Sequence, residues 1–400
     1  MKNVSSVWLW TVIAVLVGVF SWNSVFANPN VEVVESVPIE TNLAVPGVRS
    51  TQDVWLEMIN SARQSIDLEQ FYIDNQAGQS LEPILNALIT AATVRNVQIR
   101  FLVDAKFFGT YSDEPKSLSQ VQNISVKTID FSRMSGIQHS KYFVVDHAQG
   151  FVGSANFDWL ALTHIHEIGL KVNDGTSAAG LESIFEKDWK AASDVVVAAS
   201  NAKGWDALGL FKRMVVQIKK QFASIAGLEL LASPGTFNPA GIPDTLSQIV
   251  AQLDGARSSV KIQMYQYTTN PVSGTVHFRD LDNAIRRAAA QGARVQLLVD
   301  VASLKTGSVD LKALAAVPNI MVRTVTIPQW SGGAIPYARL IHSKYFIVDH
   351  SSSWVGSENW SEGYFTGCRN VGLSVQLPDV SAQLERIFDQ VWSSPYTAQL

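Results

Sequence analysis

From Thr51 onward two hydrophobic periods alternate along the chain. Val54, Leu56, Met58, Ile59 and Ala62 fall at helical spacing, and Ile66, Leu68 and Tyr72 then alternate with polar residues as a strand does. The pattern predicts a helix from around Leu81 to Thr93, then strands over Gln98 to Asp104 (QIRFLVD) and Ile124 to Phe131. The same order returns later, with a helix from Leu246 to Ala256 and a strand from Val260 to Tyr267. A helix from Leu281 to Ala290 and a strand from Arg294 to Asp300 (RVQLLVD) follow. Ala62-Arg63 answers Ala256-Arg257, Leu102-Val103-Asp104 answers Leu298-Val299-Asp300, and His139 answers His342, with the offset growing from 194 to 196 to 203 residues. A duplicated unit with loop insertions produces such drift. The expected class is α/β, two duplicated α/β/α sandwich halves related by pseudo-twofold symmetry.

Ahead of this pattern, Lys2 precedes an apolar run from Val7 to Phe20, then polar Ser21, Asn23 and Ser24, then Val25-Phe26-Ala27. The run is shorter than the roughly 20 apolar residues of a membrane span, and small residues alternate after it. These features predict a signal peptide over residues 1–27 and a secreted or periplasmic protein. An uncleaved membrane anchor, extended by Trp22, Val25 and Phe26, is the alternative. Residues 28–50 mix prolines, valines and acids without clear period and read as an N-terminal arm. The first half then covers 51–198, a linker 199–227 with a helix within Phe211 to Phe222, and the second half 228–400.

The chain has 400 residues, with 31 Lys and Arg against 35 Asp and Glu, a formal net charge of −4. That balance provides no global basic field for nonspecific nucleic-acid binding, so an anionic substrate must be held by local charges. The single cysteine, Cys368, excludes an intramolecular disulfide.

The chemistry lies in a closer repeat. HSKYFVVDH at His139 returns as HSKYFIVDH at His342, and Gly153-Ser154-Ala155-Asn156 is answered by Gly356-Ser357-Glu358-Asn359. Each copy reads H-x-K-x4-D-x6-G-S-x-N, which makes His139, Lys141, Asp146, Asn156, His342, Lys344, Asp349 and Asn359 the candidate catalytic residues. In strand geometry His139, Lys141 and Phe143 share one side, so imidazole and ammonium project together. One neutral imidazole can attack phosphorus while the other protonates the leaving oxygen. Two lysines with asparagine amides neutralise charge on the non-bridging oxygens. The scheme requires no metal and no other cofactor, and the histidine spacings lack the pattern of a zinc site. A lone histidine on a strand is usually structural, but the same six polar residues at one spacing twice favour catalysis. Asp146 and Asp349 end their strands, where a structural hydrogen-bonding role stands beside a catalytic one. The flanking His147 and His350 read as turn or solvent residues.

These two motifs resemble the HKD signature of the phospholipase D superfamily, and the resemblance covers most of the chain from about residue 50. Gly153 to Gly169 (GSANFDWLALTHIHEIG), Ile335 to Lys344 (IPYARLIHSK) and Asn359 to Thr366 (NWSEGYFT) are similar to the branch of the lysosomal phospholipases D-three and D-four, 5′-exonucleases on single-stranded nucleic acid. The resemblance implies a phospholipase D-like fold and a phosphohistidine intermediate, resolved by water or by an alcohol. It also implies an orienting carboxylate a fixed distance after each catalytic histidine. Glu167 stands 28 residues after His139, but Asn370 stands 28 after His342. A carboxylate stabilises an imidazolium and fixes its tautomer, whereas an amide does only the second. The expectation is that Glu167 backs His139, that Asn370 fills the equivalent place for His342, and that His139 is nucleophile and His342 general acid, as is usual in the superfamily.

Two substrate classes follow: single-stranded nucleic acid, and phospholipid that is hydrolysed or used for phosphatidyl transfer. A binding module with a dead site is disfavoured by the intact His-Lys pairs. Trp330, in a glycine-containing loop before the second motif, is the candidate for substrate contact, by stacking on bases or by sitting at a membrane surface. Trp354 shares the second option, while Trp159 and Trp360 read as core or rim. Duplication within one chain implies no obligate protein partner.

Overall fold

The computed structural model describes residues 30–195 and 225–400. The expected leader, and most of the expected linker with its helix, lie outside the described residues.

Helices start where a capping side chain meets the first buried apolar position. Ser50 caps Thr51–Ser61 by accepting the Asp53 N–H at 3.1 Å, and the helix buries Val54, Trp55, Met58 and Ile59. Its counterpart Thr245–Asp254 is capped by Asp244 and buries Thr245, Ile249 and Leu253. The helix expected from Leu81 spans Glu82–Val94, and the strand Gln98–Asp104 forms over the predicted residues. The strand expected to reach Tyr72 ends at Gln70.

The strands build two large sheets on one plan. In the first, Ile124–Ile129, Gln98–Asp104, Ser65–Gln70, Tyr142–Val145, Gln149–Gly153, Glu167–Val172 and Val31–Ser36 lie in that spatial order. In the second the order is Ile320–Val325, Arg294–Asp300, Ser259–Met264, Lys344–Val348, Ser352–Gly356, Asn370–Val375 and Leu228–Ser233. The first three strands of each run are parallel, and the others pair antiparallel. Register is kept as well: Phe143 sits opposite Leu68, as Phe346 sits opposite Ile262.

One expectation needs correcting. Val31–Ser36, read as part of an N-terminal arm, is an integral strand paired with Glu167–Val172, in the place that Leu228–Ser233 takes in the second sheet. Five of its six residues are buried, so the polar–apolar alternation that marks a half-exposed strand is missing.

Two long helices without an assigned place in the sequence pattern, Gly175–Ala191 and Pro378–Trp392, lie at the centre of the molecule. Leu181, Ile184 and Phe185 of the first and Leu384, Ile387 and Phe388 of the second share one core with residues of both sheets. Each helix also reaches the first strand of the opposite half, Leu228–Ser233 or Val31–Ser36. At about 1.5–3 kcal/mol for each large apolar side chain buried, this shared core ties the halves into one body. The outer helices build separate cores, one behind each sheet.

Candidate active site

His139 and His342 each close an irregular segment that runs into a central strand. The two segments are held by the opposite half. Gln138 bridges to Arg369 and Ile341 bridges to His166. The His139 N–H donates to Arg369 O at 2.8 Å, and the His342 N–H donates to His166 O at 2.9 Å. Behind them, Asp104 accepts the Gln138 N–H at 2.7 Å and Asp300 accepts the Ile341 N–H at 3.0 Å. These two aspartates end the repeated Leu-Val-Asp triplets, a signal present in the sequence but without an assigned role.

Because each segment docks on the other half, the groups behind the histidines are exchanged. His139 Nδ1 lies 2.9 Å from Asn370 Oδ1, and His342 Nδ1 lies 2.8 Å from Glu167 Oε1. The expected pairing is therefore reversed: Glu167 backs His342, and Asn370 backs His139. Sequence spacing finds both residues but cannot show which half each will face. Asn370 Nδ2 donates to the carbonyls of Tyr364 at 2.8 Å and Cys368 at 3.3 Å, which turns Oδ1 toward His139. An acceptor at that place puts the hydrogen on Nδ1 and leaves the Nε2 lone pair free. Ser357 Oγ donates to the same Oδ1 at 3.0 Å, and Ser154 Oγ donates to Glu167 in the symmetric position.

The pocket is buried and its charges are close. Burial, then the ammonium groups of Lys141 and Lys344, hold both imidazoles well below the ordinary histidine range. Burial pushes Glu167 up to about 7, with Lys344 pulling the other way. Burial and the neighbouring Lys344 push Lys141 well down, and burial brings Lys344 to about 7 against the pull of Glu167 and Glu358. Each lysine donates to the carbonyl of its own histidine, and each lies over an aromatic ring, Lys141 5.0 Å from Phe71 and Lys344 5.3 Å from Tyr265. Asn156 Nδ2 donates to the Tyr72 hydroxyl at 3.1 Å, while the Oδ1 atoms of Asn156 and Asn359 are buried without a protein partner.

Aromatic rings frame the histidines, and the sequence pattern did not single them out. Phe71 and Tyr364 stand edge-on to His139 at 5.0 and 4.9 Å, and Tyr265 to His342 at 5.0 Å. From Phe71 the rings continue outward. Phe107 is 4.1 Å from Phe71, and Tyr111 stacks on Tyr72 at 4.5 Å with 17° between planes. At the corresponding offset the second half has Ser303 and Gly307, so the aromatic extension lies on one side only.

Asp146 and Asp349 are not brought to this pocket. Both close the far ends of their strands, about seven strand residues or roughly 20 Å from the histidines. Asp146 accepts the N–H groups of Arg63, Gln64 and Ser65 at 2.7–2.9 Å, and Asp349 those of Arg257, Ser258 and Ser259 at 2.8–2.9 Å. The geometry assigns them the structural role and removes them from the catalytic set. His147 and His350 occupy the same turns in left-handed conformations and pair with Glu182 and Glu385 of the long helices. Trp330 is partly buried and packs edge-on to His164 at 5.2 Å, with no ring contact to either motif. Trp354 is fully buried against Phe346, which rules it out as a membrane-surface residue. Trp360 is core and Trp159 partly buried, as expected.

Comparison with known proteins agrees with this geometry. The family model described as cardiolipin synthase, PLD-like domain matches residues 55–189 and 249–392, one stretch on each half. Phospholipase D Z of Dictyostelium discoideum is 28% identical, covering 94% of this chain and 92% of its own. The 5′-3′ exonuclease PLD3 of Rattus norvegicus is 29% identical, covering 92% of this chain and 80% of its own. The phosphatidylserine synthase structure from Haemophilus influenzae Rd KW20 shares the fold, with a TM-score of 0.62 at 15% identity over 87% of this chain and 85% of that one. With a His-Lys-Asn set in each matched stretch, the chain belongs to the phospholipase D superfamily, as an enzyme built from two PLD-like units.

Proposed function

We propose that the protein is a metal-independent phosphodiesterase that works through a phosphohistidine on His139 and takes single-stranded nucleic acid as substrate. The crossed hydrogen bonds behind the histidines carry this reading. Asn370 leaves His139 neutral with its Nε2 lone pair exposed, the form a nucleophile needs. Glu167 stabilises His342 as an imidazolium, the form a general acid needs. His139 Nε2 attacks phosphorus and forms the P–N bond, the P–O bond to the leaving group breaks, and His342 gives that oxygen its proton. Now neutral at Nε2, His342 takes a proton from water as the water oxygen attacks phosphorus, and the P–N bond breaks to release the phosphate. Lys141, Lys344 and the two asparagine amides are assigned to the non-bridging oxygens. The bound anion offsets the lysine charges that depress the histidines, so substrate itself helps to charge His342.

The single-stranded nucleic-acid assignment is supported by the one-sided aromatic extension from Phe71 to Tyr111, a surface on which a base next to the reacting phosphate can stack. Trp330 and the exposed Tyr337, both in the loop before the second motif, are kept as outer substrate-contact candidates. The names of the exonuclease relatives favour the same class. The names of the phospholipase D relatives and of the family model favour a phospholipid, the second reading. No helix among the described residues is long and apolar enough to cross a membrane. Export directed by residues 1–27 and contact with a membrane surface complete the proposal.

One panel separates the substrate classes: the purified protein with 5′-hydroxyl single-stranded oligonucleotide, phosphatidylglycerol and phosphatidylcholine, with His139→Ala as control. Shortening of the oligonucleotide that is lost in the control is expected. Lipid turnover with intact oligonucleotide would reject the nucleic-acid reading.

A further inference from the structure

The two halves differ reciprocally at two buried positions near the site. Where the first half has Ala155 and Glu167, the second has Glu358 and Asn370. Each half therefore contributes one buried carboxyl group, but from a different place in the motif. Glu358 is wholly buried, and its Oε2 accepts the Ser357 N–H at 3.1 Å while Oε1 lies 3.5 Å from Ser233 Oγ. The carboxyl group folds back over Gly356, where an added Cβ would stand only 2.7 Å from Oε2. Ser357, gripped in this way through its backbone, donates its hydroxyl to Asn370 Oδ1, the acceptor that faces His139 Nδ1. Glu358 is thus linked through Ser357 to the amide that occupies a carboxylate's place.

We propose that Glu358 is a positioning residue that makes up, by way of Ser357, for the negative charge missing at Asn370: it fixes Ser357 against Asn370 and helps to keep Lys141 and Lys344 charged. Burial lowers both lysines, and Glu167 and Glu358 are carboxyls that oppose that lowering at each of them. The other charged and titratable groups around this set are His139 and His342 in the pocket, Cys368 beside Lys141, and Asp244 beside Glu358. Burial brings Glu358 to about 7, with Thr245, Ser357 and its own backbone N–H opposing. A second carboxylate at position 370 would repel Glu358 at close range in a medium that solvates neither, so the two positions exchange their residues as a pair.

The charge balance is testable without any assumption about the reaction, while the catalytic consequence rests on the proposed phosphodiesterase reading. The first experiment is a thermal-unfolding cycle on the full chain with Glu358→Ala, Asn370→Glu and the double variant, which recreates the first half's arrangement. Each single change is expected to lower the Tm, and the double variant to regain most of the combined loss. Additive losses would overturn the proposal. The second is the pH profile of kcat/KM on bis(4-nitrophenyl) phosphate for Glu358→Gln. The alkaline limb is expected to move down by about one pH unit, the size of a typical charge-partner effect. A lowered rate with an unmoved limb would reduce Glu358 to packing and overturn its electrostatic role. If the wild-type protein cleaves no diester, the phosphodiesterase reading fails and the thermal cycle still decides the charge pairing.

Discussion

An imidazole that attacks phosphorus and one that protonates a leaving oxygen need opposite protonation states at the same pH. Two almost identical nonapeptides cannot supply that difference, so it has to come from the residues behind them. In the proposed mechanism Asn370 and Glu167 supply it, since the exchange between halves sets the amide behind His139 and the carboxylate behind His342. The pH dependence follows. Lys344 acts when charged and sits at about 7, so kcat/KM is expected to fall as pH rises through about 7. On the acid side it falls as His139 takes up a proton, well below the ordinary histidine range. A kcat/KM profile measured over this range, flat through pH 7 and falling only near 10, would contradict the buried-lysine account. At this scale the sequence revealed identity but not pairing. The 28-residue spacing located Glu167 and Asn370, yet their partners lie 175 and 231 residues away in the chain. Phe71, Tyr265 and Tyr364 were invisible for a different reason: an aromatic residue has the same hydrophobic signature beside a catalytic histidine as in a core.

Among the elements, the motif strands are legible as far as their ends. The strands Gln98–Asp104 and Arg294–Asp300 were found, as were the helices Glu82–Val94 and Asp280–Ala290, because their apolar runs are long and clean, while all-buried Glu167–Val172 and Asn370–Val375 were not assigned. Val31–Ser36 was missed because burial on both faces erases alternation. The repeated aspartates illustrate how recurrence can mark the fold as strongly as the chemistry. Asp146 ties the turn after its strand to the start of a neighbouring one, through three backbone N–H groups. Asp146→Ala leaves those groups without their acceptor and is expected to destabilise the protein by about 1–3 kcal/mol. Chemical denaturation measures that loss, while kcat per folded molecule stays at the wild-type value. A large fall in kcat with unchanged stability would return Asp146 to the catalytic set.

For the whole molecule, duplication does more than double the groups. Each half's long central helix covers the other half's first strand, and each histidine segment rests on the other half's sheet. The site exists only when both halves are docked. The repeat made the two-halved plan readable from the sequence, but the docking depends on side chains such as the buried Arg369–Asp188 pair, 2.7 Å apart across the halves. Positive charge at the phosphate is assigned to Lys141 and Lys344, so incubation with EDTA is expected to leave the turnover rate unchanged; loss restored by a divalent ion would contradict this. The central claim is the division of labour between the histidines, and the covalent intermediate tests it most directly. Rapid alkaline quenching during turnover, followed by proteolysis and mass spectrometry, should place the phosphoryl adduct on the peptide bearing His139 and none on that bearing His342. An adduct mapped to His342 would contradict the account.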